Sequence, residues 1–125
     1  MDKTTYRTAN EGSKKVYINK KIMIFDIIFS FITNEPILQT QFLHRKLELL
    51  MKEKGMNIDI ETYSSNKIDQ YGGQADLILL TPVFGHAKEE FEKKFPETPV
   101  IAISKQDYGL LNMESLYNGI IDLLK

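Results

Sequence analysis

The chain has no cysteine and no tryptophan among its 125 residues. Without a thiol there can be no disulfide framework, no thiolate metal site and no cysteine nucleophile or phosphocysteine. Histidine is scarce as well: only His44 and His86 are present. Neither they nor the scattered acids show ligand spacing, so no metal is expected. An excess of one charge is also missing. Sixteen Lys and Arg oppose seventeen Asp and Glu, for a formal charge of −1, which excludes the broad basic field that drives nucleic-acid binding. Long apolar runs are absent too. The longest, Ile22 to Ile32, is broken by Asp26 and Ser30 and falls well short of the ~20 residues that span a bilayer. It begins after a polar leader and has no small-residue cleavage site, so a signal peptide reads poorly. The expectation is a cytoplasmic protein without direct membrane insertion. No Walker loop, dinucleotide fingerprint or Ser-His-Asp order is found, and no cofactor is expected.

What remains is the composition of one globular domain, 42% hydrophobic and 26% charged, long enough to bury a sizeable core. Residues 1–15, MDKTTYRTANEGSKK, are polar and lack any helical or strand period. They are expected to form a flexible tail ahead of a domain at residues 16–125. Through residue 21 six basic side chains (Lys3, Arg7, Lys14, Lys15, Lys20, Lys21) meet only Asp2 and Glu11, an asymmetry that suits an acidic partner.

From Ile22 onward short β-rich runs alternate with amphipathic stretches, the pattern of parallel βαβ units. Ile22 to Phe25 is continuously apolar, as expected of a strand covered on both faces. Pro36 suits the first turn of a helix whose apolar positions Leu38, Phe42, Leu43, Leu47, Leu50 and Met51 recur at three- and four-residue spacing and end at Gly55. Asn57–Thr62 reads as an edge strand and Ala75–Leu80 as a buried one, separated by Gly72-Gly73. Lys88–Phe95 places Phe91 and Phe95 four apart beneath a charged face. Val100–Ile103 is a fourth strand and Met113–Leu124 a third helix. Asp107-Tyr108-Gly109 reads as a turn at Gly109, with the Tyr108 ring packed under the third helix. The fold class is α/β: a four-stranded parallel sheet with right-handed crossovers between layers of helices. In such sheets ligands bind beyond the carboxyl ends of the strands, here at the loops Asp26–Glu35 and Thr81–Gly85.

Three local signatures carry a resemblance. They are Lys20-Lys21-Ile22 opening the first strand, Ala75-Asp76-Leu77-Ile78-Leu79-Leu80-Thr81-Pro82 ending the third, and Asp107-Tyr108-Gly109 with an apolar pair and Asn112 after the fourth. In this order and spacing the chain resembles the IIB components of the lactose and cellobiose branch of the bacterial sugar phosphotransferase system (PTS). The resemblance implies a three-layer αβα, PTS IIB-like domain with strand order 2-1-3-4. It also implies a phosphate-accepting Cys at the end of the first strand, followed by a small polar loop. Counting from Lys20-Lys21, Asp26 stands at that Cys position. About eight extra residues follow before the helix, and no Gly occurs from Ile22 to Lys54. Ile27, Ile28, Phe29, Phe31 and Ile32 are too bulky for the tight backbone nest that an anion needs.

The family's Gly-Pro-Gln is Thr81-Pro82-Val83 here, so Thr81, Pro82, Val83 and the following His86 form what is left of the phosphate site. Two readings stay open. One is a degenerate IIB-like protein, unable to carry phosphate by cysteine, that acts as a regulatory or accessory partner of IIA- or IIC-like proteins. The other is an active carrier that uses Asp26 or His86 as acceptor. An aspartyl phosphate normally calls for Mg²⁺ held by neighbouring carboxylates, and only Glu35 lies close in the loop. His44 reads as a partly exposed helix residue. The cluster Ile27, Phe29 and Phe31 is expected either to plug the vacant site or to make a homodimer contact.

Overall fold

The computed structural model describes residues 20–27 and 37–124. In chain order these form β1 (Lys20–Asp26), α1 (Leu38–Glu53), β2 (Ile58–Ser64), α2 (Ile68–Tyr71), β3 (Leu77–Leu80), α3 (Lys88–Lys94), β4 (Val100–Ala102), α4 (Lys105–Leu110) and α5 (Met113–Leu124). The strands make one sheet in the order β2-β1-β3-β4, and all three pairings are parallel. The fold is therefore the expected α/β sheet in the order 2-1-3-4. The tail at residues 1–15, the entry at 16–19, the helix start at Pro36, and Phe29 and Phe31 all lie outside the described residues.

The two-residue alternation of β1 and β3 sorts the core into two layers. Ile22, Ile24, Leu77 and Leu79 face Leu43, Leu47 and Met51 of α1 and Leu116 and Ile120 of α5. Met23, Phe25, Ile78 and Leu80 face the other way, against Ile68 of α2 and Phe91 of α3. All four residues from Ile22 to Phe25 are completely buried, which explains why β1 reads as an unbroken apolar run rather than an alternating one. The edge strand β2 alternates visibly, with Ile60 buried while Asp59 is exposed.

Aspartate fastens the lower end of the central pair. Asp76 Oδ2 accepts from the Lys21 backbone N–H at 2.8 Å, and the Asp76 N–H donates to the Lys21 carbonyl at 2.8 Å. At the upper end the Thr81 N–H donates to the Phe25 carbonyl at 3.2 Å.

Two sequence expectations are corrected. Among the described residues there are five helices rather than three, because Ser65–Gln74 winds as helical turns around α2 instead of running as a Gly72-Gly73 spacer and Lys105–Leu110 winds as α4. Gly72 lies against the Phe95 ring, where a Cβ would sit 2.7 Å from two ring carbons, so it serves close packing rather than a turn. Likewise Gly109 lies within α4. The left-handed residue that ends this helix is Leu111 (φ 52°). Ser104 starts it by accepting from the Asp107 N–H at 3.0 Å.

Candidate functional site

β1 ends in an aspartate that its own hydrogen-bond ladder delivers into the interior. Asp26 is 1% exposed. Burying a carboxylate this way is costly unless both oxygens find donors. Two hydroxyls supply them: Thr81 Oγ1 donates to Oδ1 at 2.8 Å, and Thr40 Oγ1 donates to Oδ2 at 2.6 Å. Both threonines are fully buried. Thr81 comes from the residue just past β3, and Thr40 from the first turn of α1.

A third element closes the group. The Tyr108 hydroxyl lies 2.6 Å from Thr40 Oγ1. Because Thr40 has one proton and gives it to Asp26, the phenol is the donor in this second bond, and the chain runs Tyr108 to Thr40 to Asp26. Burial raises the Tyr108 pKa above its ordinary value, and the Asp26 charge pushes it in the same direction. Gln39 Nε2 fixes the backbone around that tyrosine, donating to the Tyr108 carbonyl at 2.7 Å. The ring itself packs against the core layer that contains Met113 and Leu116 of α5.

The arrangement also serves α1. Its N-cap residue is Ile37, which cannot cap through its side chain, and its first turn holds no acid. The Asp26 carboxylate on Thr40 brings negative charge to that turn, where the helix dipole favours it.

Of the residues singled out from sequence, the structure joins Asp26 and Thr81 directly. Pro82 and Val83 begin the turn after Thr81, and Val83 is 52% exposed. His86 belongs to the same turn and stands exposed. It touches the Phe84 ring edge-on, with centroids 6.0 Å apart, rather than Asp26. His44 is half-buried on α1, with Nδ1 2.6 Å from Thr62 Oγ1 and Nε2 3.1 Å from Glu48. Ile27 is 44% exposed. Among the described residues no group of three His, Asp or Glu could hold a metal ion, and no helix is long and apolar enough to cross a membrane.

Thr40 and Tyr108 were not among the candidates. Thr40 did carry a signal: counted back from Leu47 and Leu43, it is a hydroxyl on the buried stripe of an amphipathic helix, and such a group needs a partner.

A parallel sheet in the order 2-1-3-4, with its one buried carboxylate among the described residues at the carboxyl end of β1, defines a small open α/β protein with its candidate site where such folds bind ligands. The family of PTS system, Lactose/Cellobiose specific IIB subunits matches residues 38–118. That is more than half of the chain, and the chain belongs to this family. The match begins after Asp26. A fold likeness extends further: the solution structure of a cellobiose-specific phosphotransferase IIB component protein from Borrelia burgdorferi superposes with a TM-score of 0.58 at 22% identity. It covers 83% of this chain and 92% of that one. No curated protein matches the sequence.

Proposed function

We propose that this IIB-family domain (residues 16–125) works in a sugar phosphotransferase system by protein contact, as a regulatory or accessory module, without passing phosphate through the cysteine that its relatives are expected to use. The observation that supports this reading is the state of Asp26, the residue at the expected cysteine position. A phosphoryl acceptor must present an oxygen to the incoming phosphorus with a clear in-line path. Asp26 is 1% exposed, and each of its oxygens already accepts a hydroxyl. His86, exposed on the turn after β3, has among the described residues no orienting partner of the kind that prepares a histidine for transfer chemistry. The partners that fit are IIA- or IIC-like proteins of the same system, met in the cytoplasm.

The test is a complete relay. The protein is incubated with phosphoenolpyruvate, the general relay proteins and a competent sugar-specific IIA donor, and its intact mass is measured. The expected result is no change. A donor-dependent gain of ~80 Da, the mass of one phosphoryl group, overturns the reading, and repeating the assay with Asp26→Asn and His86→Gln then identifies the acceptor.

A further inference from the structure

Apart from the Asp26 group, a carboxylate, an imidazole and a hydroxyl stand in line between α1 and β2. Glu48 and His44 are four residues apart on α1 and so share one side of the helix; Glu48 Oε2 lies 3.1 Å from His44 Nε2. On the other side of the ring, His44 Nδ1 lies 2.6 Å from Thr62 Oγ1. Thr62 faces α1 because it alternates with Ile58 and Ile60, which pack into the α1 layer. Glu48 can only accept, so Nε2 carries the proton of the neutral imidazole. Nδ1 then keeps its lone pair and takes the Thr62 hydroxyl as donor. The line is reachable: the His44 and Glu48 side chains are 25% and 51% exposed, and Thr62 is half-buried.

All three residues line one groove of about 480 Å³, a size that suits a small organic ligand. It opens beside β2, which has no strand on its outer side among the described residues. Leu38 and Phe42 give the groove an apolar wall, and Arg45 adds a fixed positive charge. The Asp26 carboxylate, 1% exposed, offers a ligand no such access.

We propose that this groove is an acyl-transfer site for small carboxylic esters, with Thr62 as nucleophile, His44 as general base and Glu48 as the residue that positions the imidazole. Thr62 Oγ1 attacks the ester carbonyl carbon, and its proton passes to His44 Nδ1. The Glu48 charge stabilises the imidazolium that results, and Arg45 the negative charge that grows on the carbonyl oxygen. As the intermediate collapses, the carbon–oxygen bond to the alkoxy group breaks and His44 returns the proton to the departing oxygen. The products are an alcohol and acyl-Thr62. Water then attacks the acyl carbon, giving its proton to Nδ1; the acid leaves, and the proton returns to Thr62 Oγ1. The threonine methyl crowds this second attack, so the acyl group accumulates.

The test uses the full chain with p-nitrophenyl acetate and p-nitrophenyl butyrate. p-Nitrophenolate is expected in a burst approaching one equivalent of protein, faster with the butyrate because its chain lies on Leu38 and Phe42. Peptide mass mapping is expected to find the acyl group on Thr62. The urea-unfolded chain, which holds the same two histidines, is expected to give no burst. His44→Gln is expected to slow the burst about 100-fold. Glu48→Gln is expected to lower its rate about tenfold at saturating ester with KM unchanged, a split that loosened packing alone would not give. Thr62→Ser keeps the hydroxyl and drops the crowding methyl, so its acyl group is expected to turn over faster. The wild-type and Thr62→Ser results decide the matter even if the other variants unfold. A wild-type burst no larger than that of the unfolded chain, acyl groups on lysine instead of Thr62, a His44→Gln protein as fast as wild type, a Glu48→Gln protein changed only in KM, or a Thr62→Ser protein that turns over no faster each overturn the proposal.

Discussion

Two aspartates fasten the central strand pair, one at each end, and they do so by different means. Asp76, at the entry to β3, is half-buried and takes its hydrogen bond from a backbone N–H. Asp26, at the exit of β1, is buried and held by side chains from two other elements, with a third behind them. A backbone donor is present in any sequence, so the first arrangement asks for one suitable residue. The second asks for four at once, separated by up to 82 positions, and replacing any one of them takes a hydrogen-bond partner from another member of the group. Convergence of that kind is the mark of a specified site rather than of ordinary strand pairing.

The contrast can be broken from the Asp26 side first. Thr40→Val keeps the shape but removes the donor to Oδ2, leaving part of a buried carboxylate unsatisfied. The expected loss is about 3 kcal/mol in urea unfolding, at the upper end for a buried group stripped of its partner. Thr81→Val should cost nearly as much, and the double variant less than the sum, because both act on one carboxylate. Tyr108→Phe removes only the outer link of the chain and is expected to cost about 1 kcal/mol. Asp76→Asn retains an acceptor for the Lys21 N–H and should cost well under 1 kcal/mol, which sharpens the difference between the two ends. If Asp76→Asn proves as damaging as Thr40→Val, the two clamps are equivalent.

The smallest effect is expected at the sheet edge. Tyr63 donates to Glu61 at 2.8 Å and stacks on Tyr71 with centroids 4.3 Å apart. The hydrogen bond to Glu61, then burial, then the Glu61 charge push its pKa up from 10.0 to about 12. The folded protein therefore holds the phenolic proton longer than the unfolded chain does. Stability from this source is present below pH 10 and is lost as the pH rises towards 12. Tyr63→Phe should flatten that part of a stability-against-pH curve, and an unchanged slope would show that the bond to Glu61 does not persist in solution.

Much of the frame was legible because it rests on repeating patterns. The unbroken apolar run at Ile22–Phe25 marks a central strand, and the three- and four-residue spacing from Leu43 to Met51 marks a helix; α5 occupies Met113–Leu124 as its pattern indicates. β2 extends to Ser64, two residues past the expected Thr62, because Tyr63 and Ser64 continue to pair with Phe25 and Asp26.

What stayed hidden was short or non-local. α2 and α4 contain 4 and 6 residues, too few to display a period. Gly109 looked like the turn, yet the cap at Ser104 starts a helix through it and Leu111 ends that helix. At the site, Asp26 and Thr81 could be named because each ends a strand. Tyr108 could not be connected to them, since nothing in its own neighbourhood reveals that its hydroxyl reaches a helix 68 residues earlier.

The start of α1 thus carries its own anion, and that anion is covalently tethered. A group attached to the same chain acts at an effective concentration on the order of millimolar or more, whatever the solution contains. Any free anion seeking the same helix start must displace a competitor that never diffuses away. Ligands stabilise a fold only in proportion to how far they saturate it, so adding inorganic phosphate at millimolar levels should leave the melting temperature where it is.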